Sequence, residues 1–153
     1  MKVCAYDVYW DEAFARQFGV ERKPAAEDVL READVVSLHM NLTDENREFI
    51  DARRLALMKK GAYLLNCARG ALIRQEDVAR ALRDGHLAGY GAYVVEPEPV
   101  EKTNPLLSAP NVVLTPHVGS RTYESVERQA AMAAENLLRI LRGEPPLAQA
   151  NRL

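Results

Sequence analysis

The sequence predicts an α/β protein built on a parallel sheet, and three observations lead there. Short apolar runs alternate with stretches of helical periodicity along the chain. The runs Tyr63-Leu64-Leu65 and Val112-Val113-Leu114 are continuous rather than alternating, as expected of strands covered on both faces. Glycine or proline closes each clear helical stretch: Gly61, Gly85, and Gly143 with Pro145 and Pro146.

Taken in order, Lys2 to Tyr6 reads as a strand ending at Asp7. Val35 to Leu38 is the next, followed by Ala62 to Asn66, Ala88 to Val95 and Val112 to Leu114. Helices fill the gaps. Asp51 can N-cap one that carries Leu55 and Met58 and stops at Gly61. Another runs from about Gln75 to Asp84, with Val78 and Leu82 on one face. The longest follows Thr122, and its stripe of Val126, Ala130, Ala133, Leu137 and Leu141 is expected to pack into the core. Residues 1–143 are assigned to one sheet-bearing domain and 144–153 to a tail without clear pattern.

Bulk properties narrow the function. With 153 residues there is room for a single core, and 48% hydrophobic with 27% charged residues is the mixture of a soluble globular protein. A net charge of -2 argues against nucleic acid or an anionic membrane as partner. No apolar run reaches the ~20 residues that span a bilayer, and the opening MKVCAYDVYW lacks the apolar core of a secretory signal. Cys4 and Cys67 are too few for a disulfide framework and lack zinc-finger spacing. Both are expected to be buried thiols in a reducing cytoplasm.

Four segments carry the chemistry: Asn66-Cys67-Ala68-Arg69-Gly70, Glu96-Pro97-Glu98-Pro99, Asn104-Pro105-Leu106-Leu107, and Thr115-Pro116-His117-Val118-Gly119-Ser120. Each follows the carboxyl end of an expected parallel strand or leads into the next one, where open α/β sheets collect ligand groups. In this order and spacing the set resembles the NAD-binding domain of the D-2-hydroxyacid dehydrogenases over nearly the whole chain. The ending Ala150-Asn151-Arg152-Leu153 is faintly similar to the phosphite dehydrogenase branch.

The resemblance implies an incomplete Rossmann-like sheet and an NAD-dependent exchange of hydride with a small 2-hydroxy or 2-keto acid. Arg69 would grip the substrate carboxylate and polarise the keto oxygen, a task suited to a rigid guanidinium fork. His117 would exchange the proton. Glu98 would hydrogen-bond the imidazole and fix its tautomer. These residues lie 29 and then 19 positions apart in the chain. Asp7 matches the position that bonds the adenosine ribose, and a carboxylate there favours NAD over NADP. Cys67 and Ala68 match backbone positions near the nicotinamide, and Leu38 to Leu42, with Asn41 where proline is frequent, matches the segment closing over it. Each residue also has a plain reading: Arg69 as a salt-bridge partner, Glu98 as a solvated loop charge, His117 as a strand-end residue, Asp7 as a turn aspartate. His39 and His86 are read as structural or solvated.

Two departures stand out. No G-x-G-x-x-G phosphate loop is present: the one G-x-G, Gly89 to Gly91, is followed by Val94 where the third glycine would fall. The first strand, the phosphate loop and the first helix are therefore expected to be lacking. In the strand order 3-2-1-4-5-6 the gap is expected between the strands beginning at Lys2 and Ala62, inviting a homodimer or a complementing chain. The second departure is Tyr93, which replaces the aspartate that would hold the nicotinamide carboxamide. The sequence thus supports a fragment or subunit of a dehydrogenase, expected to be inactive alone, or else a non-catalytic binding or interaction module descended from one.

Overall fold

The computed structural model describes residues 1–150. The similarity to phosphite dehydrogenases rests on residues 151–153 as well, and these lie outside the described residues. The described chain forms two compact units, one comprising Met1–Pro116 and a second beginning at His117.

The first unit holds two parallel sheets. Strand β1 (Val3–Ala5) leads through helix α1 (Glu12–Phe18) to β2 (Val20–Arg22), and the two strands pair in parallel. Helix α2 (Ala26–Glu32) then leads to β3 (Val35–Leu38), which starts a four-stranded sheet in the order β3-β4-β5-β6. Its other strands are β4 (Ala62–Asn66), β5 (Leu87–Ala92) and β6 (Val112–Leu114), with α3 (Ala52–Leu55) before β4 and α4 (Gln75–Arg83) between β4 and β5. Asp51 caps α3 as expected, accepting from the Arg54 N–H at 2.8 Å. That helix stops at Leu55, well short of Gly61. Gly85, at φ +65°, closes α4 in the left-handed region.

The position of the open edge differs from expectation. Strand β4 is hydrogen-bonded on both sides, by β3 and by β5. The strands with a partner on one side only are β1 and β2 in the smaller sheet and β3 and β6 in the larger. The cause is β2, whose Val20-Glu21-Arg22 has one apolar residue and so leaves no apolar run to recognise. Every later strand is thereby counted one place too early.

The core lies on one face of the larger sheet. Val36, Leu38, Leu64 and Tyr90 pack with Ile50, Leu55, Met58, Leu72, Val78, Leu82 and Leu106. The opposite face is bare: Val35, Tyr63 and Val113 are each more than half exposed. Within the first unit the apolar runs are therefore not covered on both faces, because the side chains that reach the core alternate to a single side. Gly89 and Gly91 face the bare side, where an added Cβ would lie 3.0 Å from Tyr63 Cδ1 and 2.8 Å from Leu65 Cδ2. The same alternation corrects the cysteines. Cys67 falls between buried Asn66 and Ala68 and is exposed, and Cys4 is only half-buried.

Helix α2 ties the smaller sheet to the larger. Arg54 pairs with Glu27 at 3.1 Å, and Lys59 with Asp34 at 2.7 Å. A closed ring of charges joins β1, β2 and α2: Lys2 bonds Glu21 at 2.9 Å and Glu32 at 2.8 Å, and Lys23 bonds Glu21 at 2.6 Å and also Glu32. Hydrogen bonds from Lys2 and then Lys23 hold the Glu32 carboxyl down at about 2, and those from Lys23 and then Lys2 lower Glu21. A carboxyl lowered by folding stabilises the fold above its unfolded value and loses that contribution as pH falls towards its folded value. Acidification from pH ~5 towards 2 is therefore expected to lower the melting temperature. Glu32→Gln should flatten that dependence in thermal scans, and an unchanged acid limb would count against the ring.

The second unit contains α5 (Tyr123–Leu141), capped by Thr122, whose hydroxyl accepts from the Ser125 N–H at 3.2 Å. The expected burial of its stripe is not found. No residue of α5 is buried, and Val126, Leu137 and Leu141 are all more than half exposed. A lone helix has nothing within its own unit against which to bury a stripe. Asn136 instead holds the tail, accepting from the Leu147 N–H at 2.7 Å and donating to the Ala148 carbonyl at 3.3 Å. Among the described residues no helix is long and apolar enough to cross a membrane.

Candidate functional site

The carboxyl end of β4 runs into a tight turn organised by Asn66. This side chain is fully buried and satisfied in both directions: its Oδ1 accepts from the Ala68 N–H at 3.0 Å, and its Nδ2 donates to the Arg69 carbonyl at 2.8 Å. Its backbone carbonyl takes the Tyr93 N–H at 2.9 Å. Burial pushes the Tyr90 phenol well up from its ordinary value, partly offset by a hydrogen bond with Asn66. Asn66 thus fixes the backbone from which Arg69 projects, a role that reading the segment as a motif did not assign.

Arg69 is exposed, and its Nη1 donates to the neighbouring Ala68 carbonyl at 2.9 Å. No carboxylate lies in ion-pair range among the described residues. The salt-bridge reading of this arginine therefore has no partner, and the fork is left for an anion. The next residue sets the turn's depth. A Cβ on Gly70 would lie 2.3 Å from the Val95 carbonyl carbon and 2.6 Å from the Glu96 nitrogen. Backbone rests on backbone there, which brings the Arg69 turn against the start of the Glu96-Pro97-Glu98-Pro99 loop.

That loop is held from below. Gln75 Nε2 donates to the Glu96 carbonyl, and Gln75 Oε1 accepts from Asn104 Nδ2 at 2.9 Å. Asn104 Oδ1 accepts from the Leu106 N–H at 3.0 Å, capping the short 3-10 helix Pro105–Ser108. The Asn104-Pro105-Leu106-Leu107 segment is therefore a structural anchor for the acidic loop. Glu98 itself is exposed, and Tyr93 is half-buried. The Tyr93 carbonyl accepts from the Thr115 hydroxyl at 3.2 Å, which links the ends of β5 and β6.

Leu38 is buried, and its carbonyl accepts from the Cys67 N–H at 3.3 Å. The ends of β3 and β4 are thereby tied, with Ala68 buried beside them. Asn41 is exposed, and its carbonyl accepts from Asn46 Nδ2 at 2.7 Å, which shapes the Leu38–Leu42 segment. His39 bonds Ser37 on the bare face and His86 bonds the Leu55 carbonyl, both at 2.8 Å, in keeping with structural roles.

Asp7 stands apart from these residues, beyond the carboxyl end of β1 in the smaller sheet. Its Oδ1 accepts from the Tyr9 N–H at 2.8 Å, forming an Asx turn. The turn reading of this aspartate is correct as far as it goes, but it engages one oxygen, and Oδ2 has no partner among the described residues. Three positions further on is Trp10, which carries the Arg22 guanidinium over its ring at 5.4 Å. A free carboxylate oxygen and an aromatic–guanidinium stack at the carboxyl ends of two parallel strands fit the adenosine portion of NAD. At the nicotinamide portion Tyr93 brings no carboxylate.

The larger-sheet residues are thus partly assembled: Arg69, Ala68, Cys67, Leu38 and Tyr93 are linked through backbone bonds at the ends of β3, β4 and β5. Arg69 and Glu98 belong to the first unit, whereas His117 opens the second. His117 is half-buried with φ +52°, a left-handed backbone that non-glycine residues rarely adopt and that concentrates at functional positions.

Comparison with known proteins adds independent findings. The family model described as D-isomer specific 2-hydroxyacid dehydrogenase, NAD binding domain, matches residues 1–119. A glyoxylate reductase of Korarchaeum cryptofilum is 42% identical over 146 residues, covering 95% of this chain and 44% of that protein. The holo form of Rhodotorula graminis D-mandelate dehydrogenase superposes with a TM-score of 0.90 at 32% identity, covering 100% of this chain and 45% of that one. A D-lactate dehydrogenase from Lactobacillus jensenii, solved with NAD+, gives 0.87 at 28% identity, with 99% and 48% covered. The chain therefore spans a little under half the length of each.

Proposed function

This chain belongs to the D-isomer-specific 2-hydroxyacid dehydrogenases, and from that premise we propose that it contributes the coenzyme-side half of a centre that reduces a small 2-keto acid, such as glyoxylate, to the 2-hydroxy acid. One observation carries the reading: Arg69, whose exposed guanidinium has no carboxylate partner among the described residues, has its backbone carbonyl held by a fully buried asparagine at the carboxyl end of a parallel strand.

Arg69 binds the substrate carboxylate through its fork and draws electron density from the keto oxygen. His117 delivers a proton to that oxygen as the carbon is reduced, and takes it back in the reverse direction. Glu98 bonds the imidazole, fixes its tautomer and favours its protonated form. Bound NADH supplies the hydride. Asp7 receives the ribose hydroxyls, while Leu38, Asn41, Cys67, Ala68 and Tyr93 border the nicotinamide.

The paired-on-one-side strands β1 and β3 support a further proposal, that turnover requires a second polypeptide seated between them, either a second copy or a complementing chain. Free thiols at Cys4 and Cys67 suit a cytoplasmic location. A non-catalytic binding or interaction module is the alternative, favoured by Tyr93 where a carboxylate would hold the carboxamide.

Titration with NADH, followed by its enhanced and blue-shifted fluorescence, is expected to show binding. In the active assembly His117→Gln should lower kcat for glyoxylate reduction by about 10²- to 10⁴-fold with NADH affinity unchanged. Binding of NADH with no turnover of any 2-keto acid would leave the binding-module reading standing. No binding at millimolar NADH would remove the enzyme reading for the isolated chain and leave an interaction module.

A further inference from the structure

The smaller sheet carries an arrangement that motif reading leaves unassigned. Strand register pairs Ala5 with Arg22, and Asp7 stands two residues beyond Ala5. The Asx turn at Asp7 folds the following residues back, so that Trp10 comes to lie beneath Arg22. Trp10 is fixed at its edge by a hydrogen bond from Nε1 to Glu12 Oε2 at 3.2 Å. Arg22 is exposed and has no carboxylate in ion-pair range among the described residues, although Lys2, Lys23, Arg16, Arg31 and Arg54 all have one.

A guanidinium resting on an indole has one face occupied and one open. The open face is a flat, weakly hydrated cation, which stacks well on aromatic rings and on nucleobases. It stands beside the carboxylate already suited to a ribose. We propose that the adenine ring of the cofactor stacks on Arg22, on the side away from Trp10, while its ribose is held by Asp7. Arg22 is then an adenosine-binding residue and Trp10 its positioning support. The inference rests on the cofactor reading above and adds to it the residue that recognises the base.

Trp10 is the only tryptophan in the chain, so its emission reports on this site alone. The full chain and its Arg22→Ala and Arg22→Lys variants are titrated with adenosine monophosphate, nicotinamide mononucleotide and NADH. Adenosine monophosphate should change Trp10 emission in the unaltered chain. Arg22→Ala should raise its Kd about tenfold, the scale of one lost base stack. Arg22→Lys, which keeps the charge but not the plane, should behave almost as Arg22→Ala does. Nicotinamide mononucleotide should bind all three alike, and equal melting temperatures would show that folding is not involved.

If Arg22→Ala leaves the Kd for adenosine monophosphate within twofold while NADH still binds, the stacking proposal is wrong and the cofactor reading survives. Stacking is equally ruled out if Arg22→Lys retains full affinity, or if adenosine 2′,5′-bisphosphate binds more tightly than the monophosphate only when Arg22 is present. Arg22 would then be a point charge that reads phosphate. Failure of all three ligands to bind would sink the cofactor reading and this proposal with it.

Discussion

Arg69→Gln is expected to lower kcat/KM for glyoxylate by about 10²- to 10³-fold, the usual cost of removing a donor aimed at developing oxyanion charge. The residue would both hold the carboxylate and polarise the carbonyl, so the loss should appear in kcat as well as KM. Arg69→Lys restores the charge without the fork and should recover only part of the activity. Neither variant should lower the melting temperature much. The guanidinium bonds only the adjacent Ala68 carbonyl among the described residues, and the turn is held by Asn66 instead. Steady-state kinetics on the active assembly, beside a thermal scan of each variant, separates the two effects. A variant that turns over normally would remove Arg69 from the centre.

Gly70→Ala should act in the opposite way, through the fold. Its Cβ would be placed 2.3 Å from the Val95 carbonyl carbon and 2.6 Å from the Glu96 nitrogen, contacts with backbone that no rotamer change can relieve. Overpacking of this kind costs roughly 1–3 kcal/mol, and the upper end is expected because both partners are main chain. Movement of the turn would also carry Arg69 away from its place, so activity should fall beyond what the lost stability explains. Denaturant unfolding measures the first effect, and kcat/KM well below the melting transition measures the second. Unchanged stability would mean that the turn and the loop are not packed as described.

How much of this could be read from the residues depends on where each element draws its stability. The strands of the larger sheet were legible because Ala62–Asn66 and Val112–Leu114 are apolar runs that need burial, whatever follows them. Strand β2 was not, since Val20-Glu21-Arg22 is held by its parallel pairing with β1 and by the Lys2–Lys23 charge ring, neither of which leaves a local pattern. Missing it moved the open edge from β3 to β4. The stripe on α5 was legible as a stripe, but periodicity shows which side of a helix is apolar and not what meets it. At the site, Arg69, Glu98 and His117 came from motif resemblance, whereas Asn66, Gly70 and Gln75 act through bonds and contacts across separated segments. A glycine directly after the arginine was the one local hint of the close approach. For the adenosine end, the hint was a lone tryptophan three residues past Asp7.

The uneven placement of buried side chains has a consequence for how the first unit holds together. Between Met1 and Asp34 the buried apolar residues are Ala15 and Leu30, while the core on the four-stranded sheet has Ile50, Leu64, Leu72 and Val78 almost wholly shielded from solvent. The smaller sheet relies instead on ion pairs and on α2 as its tether. Such a division gives two tiers of cohesion, in which the part bearing Asp7 and Trp10 loosens well before the part bearing Arg69. A ligand that touches both tiers would draw them into a single cooperative body, and binding would then register as added rigidity at the amino-terminal end.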